Sequence, residues 1–207
     1  MIRLWGRLSS INVRKVVLAA QMLRMPFERL EAGAAYGVVD TPEYRARNPN
    51  GLVPLLEDGD FVLWESNVIV RYLGARYGQD SGFYPGELRE RFDAERWMDW
   101  QQTTLNPAGR DAFVQLVRTP AERRHAAAIE SSIHATEPLW DLLDAHLQGR
   151  RFFGGDAPGM ADVPLACERH RWSGLPLRHR PRPHLDAWYQ RMLALPAARG
   201  VLDLPLS

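Results

Sequence analysis

The N-terminal third of the chain alternates strand-like with helix-like patterns. Ile2 and Leu4 alternate with polar neighbours and stop at Gly6, which is typical of a first strand. Residues 26–30 predict a second strand. The apolar residues between them recur at helical spacing and predict an amphipathic helix, capped by Ser10 or Asn12; they are Val13, Val16, Val17, Ala20 and Leu23. A strand, a helix and a strand within about 30 residues predict a βαβ unit with parallel pairing.

The next forty residues continue the alternation. Thr41-Pro42 predicts a helix start, with threonine as the cap and proline as the first helical residue. Residues 52–56 and 61–64 predict two strands joined as a hairpin by an Asp-Gly turn, although Pro54 cannot donate a hydrogen bond within a strand. Ser66 is expected to cap a helix that ends at Gly78. The predicted order is β-α-β-α-β-β-α.

Strand patterns largely vanish beyond this point, and helical periodicity replaces them. We predict a first domain over residues 1–78, a linker over 79–86 with two glycines and a proline, and an all-helical domain over 87–207. Thr119-Pro120-Ala121-Glu122 resembles a capping box at the start of a long helix. Asp162 is placed to cap a later helix.

Composition narrows the range of functions. The 207 residues carry 26 basic and 25 acidic side chains, so the net charge of +1 disfavours nucleic-acid binding. No apolar run approaches the roughly 18 residues of a membrane span, and no secretion signal precedes the first strand, so we expect a cytoplasmic protein. One cysteine excludes an internal disulfide framework, and the six histidines have no metal-binding spacing, so we predict no metal site.

Three short segments carry candidate chemistry. In the first, Ser10 and Asn12 stand at the predicted start of a helix, where unpaired N–H groups and a partial positive charge favour an anion such as a thiolate. In the second, a cis peptide bond between Val53 and Pro54 would leave the Val53 backbone free to pair with an extended peptide. Each segment also has a purely structural interpretation, as a helix cap or as a tight turn.

The third segment is Glu65-Ser66, at a junction between a strand and a helix. Its structural interpretation is an N-cap with a negative charge near the helix start. Its functional interpretation is a pair that grips the charged end of an amino acid. Glu65 would take the ammonium group, while Ser66 and the helix N–H groups would take the carboxylate.

Together, the Val-Pro and Glu-Ser elements at this spacing resemble the glutathione S-transferase family, in particular its theta- and nu-like bacterial members. The resemblance covers essentially the full chain and implies an α/β thioredoxin-like domain followed by an all-α helical-bundle domain. It also implies that the chain is a cytoplasmic, homodimeric detoxification enzyme with no cofactor beyond glutathione as co-substrate. The second substrate would be a small electrophile, such as a halogenated compound. It would bind to the helical domain.

The resemblance also assigns roles to residues. Val53 would pair with the cysteinyl unit of glutathione beside a cis Pro54, and Glu65 and Ser66 would hold the γ-glutamyl end. Ser10 falls where theta- and delta-like members keep a catalytic serine, and Asn12 falls where nu-like members keep an asparagine. Ser10 is the first choice for activating the thiol and Asn12 the second.

The sequence departs from the family pattern at two positions, and three rival functions remain open. The basic residue that many members carry before Val-Pro is Leu52 here, and the hydroxyl residue that usually starts the central capping box is Gly159. The rivals are a zeta-like isomerase, a glutathione-dependent dehalogenase, and a non-catalytic member that only binds glutathione or a protein.

Overall fold

The computed structural model describes residues 1–79 and 81–206, which form two compact units. The first unit spans Met1–Tyr84, and the second begins at Pro85. This division falls inside the predicted linker, of which Asp80 lies outside the described residues.

Over its described residues, the first unit contains four short strands and three α-helices in the predicted order. They are β1 (Ile2–Trp5), α1 (Ile11–Met22), β2 (Phe27–Leu30), α2 (Pro42–Arg45), β3 (Leu55–Asp58), β4 (Phe61–Trp64) and α3 (Ser66–Tyr77). Thr41 caps α2 as predicted, because its Oγ1 accepts a hydrogen bond from the Tyr44 backbone N–H at 3.2 Å. The predicted α/β fold of this unit is confirmed.

The four strands form one mixed sheet in the order β2-β1-β3-β4. β1 and β2 are parallel, as the βαβ pattern predicts, and Ile2 is opposite Phe27. β1 and β3 are antiparallel, with Leu4 opposite Leu56. The β3–β4 hairpin is also antiparallel and brings Leu55 opposite Trp64. This last pairing positions the chain before β3 beside the chain after β4.

Two details of the first unit differ from expectation. The third strand begins at Leu55 and not at residue 52, because Pro54 has no N–H group with which to join the ladder. Ser66 is the first residue of α3 and not its cap, since Glu65 occupies the N-cap position. Both differences fall on the segments that the sequence singled out for binding.

The regular secondary structure of the second unit, over its described residues, is helical. Its α-helices are α4 (Leu88–Trp100), α5 (Asn106–Phe113), α6 (Ala126–Leu147), α7 (Asp162–Ser173) and α8 (Pro183–Leu193). Two π-helical turns, Gln101–Leu105 and Val114–Arg118, follow α4 and α5. The predicted all-helical class is confirmed. The described helices include none with the length and apolarity that a membrane crossing requires.

The capping predictions for this unit need correction. The segment after Thr119 forms only a short 3₁₀ turn at Ala121–Arg123, and α6 begins at Ala126. Asp162 is the first residue of α7 and reaches back into the preceding loop, where its carboxylate accepts hydrogen bonds from the backbone N–H groups of Phe153 and Gly159. It also accepts one from the Trp188 indole. Asp162 therefore joins a loop, α7 and α8.

Candidate functional site

A small cleft in the first unit, with a volume of about 50 Å³, gathers residues from three separate segments. The segments are the start of α1, the turn that precedes β3, and the junction between β4 and α3. The nine lining residues are Asn12, Asn48, Asn50, Leu52, Val53, Pro54, Trp64, Glu65 and Ser66. The β3–β4 pairing explains why the second and third segments meet.

The start of α1 contributes Asn12 to the cleft. Asn12 is the second residue of the helix, and its Oδ1 is buried without a hydrogen-bond partner among the described residues. Ser10 occupies the N-cap position, but its side chain makes no capping bond; its carbonyl accepts from the N–H groups of Val13 and Arg14. Ser10 is not among the described residues that line the cleft. An unpaired buried amide oxygen is costly, so Asn12 is suited to meet a ligand or a water.

Gly6 brings the start of α1 close to the second segment. A Cβ atom at Gly6 would lie 2.4 Å from Val13 Cγ2 and 3.3 Å from Val53 Cβ. No side chain fits there without displacing one of the two, and the residue has φ of +153°. Glycine at this position therefore allows α1 to approach Val53.

The turn before β3 is held by a local network centred on Asn48, which is only 2% exposed. The Asn48 Nδ2 donates to the Leu52 carbonyl at 2.8 Å, and its Oδ1 accepts from the Asn50 backbone N–H at 3.1 Å and from the Asn50 Nδ2 at 3.0 Å. The Tyr44 hydroxyl donates to the same Leu52 carbonyl at 2.8 Å. Burial raises the pKa of Tyr44 to about 12, so this donor stays protonated at neutral pH.

The turn ends in a cis peptide bond between Val53 and Pro54. The Val53 side chain packs against the buried cluster of Ala32, Tyr44 and Leu55. Because the side chain is fixed in this core, the Val53 backbone has a defined position along the wall of the cleft.

The junction between β4 and α3 holds Glu65 in an unusual conformation. Its φ of +75° and ψ of 107° lie outside the regions that non-glycine residues prefer. Such backbones cost on the order of 1–3 kcal/mol and cluster at functional sites. Glu65 is exposed, whereas Ser66, at the first position of α3, is only 5% exposed.

The electrostatics of the cleft are simple. Of its nine lining residues, all within the described chain, Glu65 alone carries a charge. The starts of α1 and α3, two helices of 12 residues each, both contribute to the lining through Asn12 and Ser66. Helix N-termini carry a partial positive charge, so the cleft offers one carboxylate for a cation and two helix ends for anions. This pattern suits a small zwitterionic ligand with an additional anionic group.

Sequence reasoning selected six site residues, and five of them line this one cleft: Asn12, Val53, Pro54, Glu65 and Ser66. Ser10 is the exception. The sequence interpretation assigned no site role to Asn48, Asn50, Leu52 or Trp64, which also line the cleft. Their position immediately beside Val-Pro and Glu-Ser was the available signal. Nowhere in residues 1–79 and 81–206 does a group of three or more His, Cys, Asp or Glu side chains gather that could hold a metal ion.

Comparison with family models identifies the class of this protein. Residues 4–81 match the model "Glutathione S-transferase, N-terminal domain", and residues 106–196 match "Glutathione S-transferase, C-terminal domain". The chain belongs to the glutathione S-transferase family, and the predicted family and enzyme class are confirmed.

Individual relatives are similar over the whole length. Glutathione S-transferase GstB of Escherichia coli strain K12 is 44% identical over 209 residues, covering 100% of both chains. Glutathione S-transferase 3 of Zea mays is 28% identical and covers 99% of this chain and 95% of its own. The crystal structure of a theta class glutathione S-transferase from Xanthomonas axonopodis pv. citri with glutathione bound matches with a TM-score of 0.95 at 40% identity. It covers 100% of this chain and 99% of that one.

Proposed function

We propose that this chain binds glutathione in the cleft and transfers its thiolate to a small electrophile. The proposal rests on one observation: the five residues Asn12, Val53, Pro54, Glu65 and Ser66 line the same cleft. A glutathione-bound relative at 40% identity supports the same ligand. Halogenated compounds are the first electrophiles to test, since halide is a good leaving group for a thiolate.

Each part of glutathione has a chemically matched partner in this proposal. The Glu65 carboxylate takes the γ-glutamyl ammonium, and Ser66 with the first N–H groups of α3 takes the γ-glutamyl carboxylate. The Val53 backbone pairs with the cysteinyl unit. The cysteinyl sulfur then lies toward the start of α1.

We propose Asn12 as the donor that stabilises the thiolate, with the Ser10 hydroxyl as the alternative. Asn12 lines the cleft, and an amide can accept a hydrogen bond from a thiol and donate one to a thiolate. A free thiol has a pKa of about 8.5, so only a few per cent is ionised at neutral pH. A donor and a helix N-terminus that lower this pKa by two units supply about 2.7 kcal/mol of thiolate stabilisation.

The test measures the pKa of the bound glutathione thiol from thiolate absorbance in the ultraviolet. Asn12→Ala should raise this pKa by about one to two units and lower kcat/KM by a matching factor of about 10 to 100. Ser10→Ala should leave the thiol pKa unchanged, and Ser9→Ala, in the same loop, is the matched control. A raised pKa in the Ser10 variant alone would transfer the role to Ser10.

A second experiment separates the rival functions. The wild-type enzyme is incubated with glutathione and a panel of halogenated, unsaturated and cis-enedioic substrates. Turnover of halogenated aromatics supports conjugation, halide release from haloalkanes supports a dehalogenase, and isomerisation of the enedioic acid supports a zeta-like enzyme. Retention on a glutathione column without any turnover would refute the transferase proposal and leave a binding module.

We also propose a cytoplasmic homodimer that acts in detoxification. The edge strand β4 and the adjoining α3 expose large apolar side chains, among them Phe61, Trp64 and Val68, and we propose that a second copy covers this surface. Sedimentation equilibrium of the full chain tests the dimer, and a mass of one chain at micromolar concentration would refute it.

A further inference from the structure

The backbone N–H and C=O of Val53 have no hydrogen-bond partner within the described part of the chain, although Val53 lines the cleft. The Val53 side chain packs against the buried cluster of Ala32, Tyr44 and Leu55, which fixes the position of the residue. This packing does not determine where the Val53 N–H points, because the peptide plane before it can rotate about the bonds on either side. The direction of the N–H depends on what holds the Leu52 carbonyl, which belongs to the same peptide plane.

Two buried side chains hold the Leu52 carbonyl. The Tyr44 hydroxyl and the Asn48 Nδ2 each donate a hydrogen bond to it at 2.8 Å. The bond between Val53 and Pro54 is the one cis peptide among the described residues, so the bond between Leu52 and Val53 is trans. In a trans peptide the C=O and N–H groups point in opposite directions. The Val53 N–H therefore points away from the two side chains that hold the Leu52 carbonyl.

Tyr44 can act on a ligand in the cleft only through this turn. The side chain is fully buried, and its ring packs edge-on against Trp5, with the ring centroids 6.3 Å apart. The Arg47 guanidinium lies 5.8 Å from the centroid of the same ring. Tyr44 is not among the described residues that line the cleft, whereas Asn48 is. Tyr44 is therefore the donor whose effect can be assigned to the peptide plane alone.

We propose that Tyr44 is a positioning residue for glutathione: its hydroxyl orients the peptide between Leu52 and Val53 so that the Val53 N–H donates to the cysteinyl carbonyl of the bound tripeptide. This inference rests on the proposed function, in which the Val53 backbone pairs with the cysteinyl unit. Without the hydroxyl, the Leu52 carbonyl keeps only the Asn48 donor, and the peptide plane has more freedom to rotate. The Val53 N–H is then presented to the ligand for a smaller fraction of the time.

The experiment measures the Kd of two ligands for the full chain by isothermal titration calorimetry. One ligand is glutathione. The other is an analogue in which a trans alkene replaces the amide between the cysteinyl and glycyl units, so that the thiol and both charged ends remain but the carbonyl acceptor is lost. Tyr44→Phe should raise the Kd for glutathione about 3- to 10-fold, as expected for one neutral hydrogen bond, and change that for the analogue by less than about twofold. Replacement of Tyr44 by para-aminophenylalanine, which carries a donor at the same position, should restore the affinity for glutathione.

Tyr72→Phe is the matched control. The Tyr72 hydroxyl donates to the Asp58 Oδ2 at 2.7 Å within the same unit, and Tyr72 is not among the described residues of the cleft lining. This variant should leave the Kd of both ligands unchanged, even where it lowers the free energy of unfolding as much as Tyr44→Phe does. Amide hydrogen exchange of the wild type needs no variant: saturating glutathione should slow exchange of the Val53 N–H at least about tenfold.

The outcomes distinguish this inference from the proposed function. If Tyr44→Phe changes the Kd of glutathione and of the alkene analogue by equal factors, the role of Tyr44 is only structural and the inference is overturned. An unchanged Kd for glutathione in this variant, or unslowed exchange at Val53, would overturn it as well. In each of these cases the wild type still binds glutathione, so the proposed function stands. If the wild type binds neither ligand, the proposed function itself fails.

Discussion

Removal of the Asp162 carboxylate should destabilise the enzyme severely. Asp162 is fully buried, and its two oxygens accept three hydrogen bonds: from Phe153 N–H at 3.1 Å, from Gly159 N–H at 2.9 Å and from the Trp188 indole at 2.7 Å. Asp162→Ala leaves all three donors buried without an acceptor. At about 1–3 kcal/mol for each orphaned donor, discounted for partial relaxation, the expected loss is about 3–6 kcal/mol. Typical domains are stable by only 5–15 kcal/mol.

Urea denaturation of the full chain, followed by tryptophan fluorescence, measures this loss. Asp162→Asn keeps one oxygen but places an amide N–H₂ toward the Gly159 or the Phe153 donor, so it should cost about 1–3 kcal/mol. Asp156→Asn, at an exposed position in the same loop, should change stability by less than about 0.5 kcal/mol. If Asp162→Ala unfolds within 0.5 kcal/mol of wild type, water must satisfy these donors and the reasoning fails.

The same carboxyl also predicts a pH dependence. Burial raises the pKa of Asp162 from 3.8 to about 6, against the opposing effect of its three hydrogen bonds. Because this pKa is higher in the folded state, the folded protein holds the proton more tightly. The protonated Asp162 carboxyl therefore makes its full contribution to the free energy of unfolding below pH 3.8. This contribution falls by about 3 kcal/mol in total as the pH rises to about 6. The stability difference between wild type and Asp162→Asn should shrink across this range, and a constant difference would contradict the shift.

Three further predictions concern single side chains. Glu65→Gln should raise the KM for glutathione about 10- to 100-fold, since the ammonium loses a charged partner worth about 1.5–3 kcal/mol; steady-state kinetics with an unchanged KM would count against the proposed site. Tyr44→Phe should cost about 0.5–1.5 kcal/mol in urea denaturation, because it removes the hydroxyl that donates to the Leu52 carbonyl. Burial between Trp97 and Phe153 lowers the pKa of His146, so the folded state disfavours its proton and stability should fall as pH drops below 6.5. In thermal unfolding, the melting temperature of His146→Gln should fall less between pH 7 and pH 5 than that of the wild type. Identical pH profiles of the two proteins would refute this prediction.

The element types of the first unit could be predicted from the sequence, but several boundaries could not. Periodicity identified the strands and helices because each buries one apolar face. The cap of α3 was missed because it depends on a positive φ at Glu65, a conformation that a glutamate rarely adopts and that its residue type does not signal. The start of α6 was missed because Thr119-Pro120 has the composition of a capping box, yet the chain forms only a 3₁₀ turn there.

The binding segments were predictable for a different reason, which also explains the residues that were missed. Val53-Pro54 breaks a local rule, since a proline interrupts a strand pattern. Glu65-Ser66 fits an ordinary helix start, and only its spacing from Val53-Pro54 made it recognisable. Asn48 and Asn50, in contrast, agree with the rules for turns, and their mutual hydrogen bonds satisfy that interpretation completely. For residues that already have a sufficient structural reason, the only sequence signal of a second role is their position beside other candidate site residues.

The choice between Ser10 and Asn12 depends on packing between elements that are distant in sequence. Both residues suit the start of a helix, and both carry a group that can donate to a sulfur, so residue type does not separate them. The resemblance alone ranked Ser10 first and Asn12 second. The cleft is built from α1 on one side and Val53 on the other, and Gly6 sets the approach of the two. Asn12, at the second helical position, lines the cleft, whereas Ser10 precedes the first turn and contributes its carbonyl to the helix. A substitution at Gly6 that moved α1 away from Val53 should therefore weaken thiolate stabilisation even with both side chains retained.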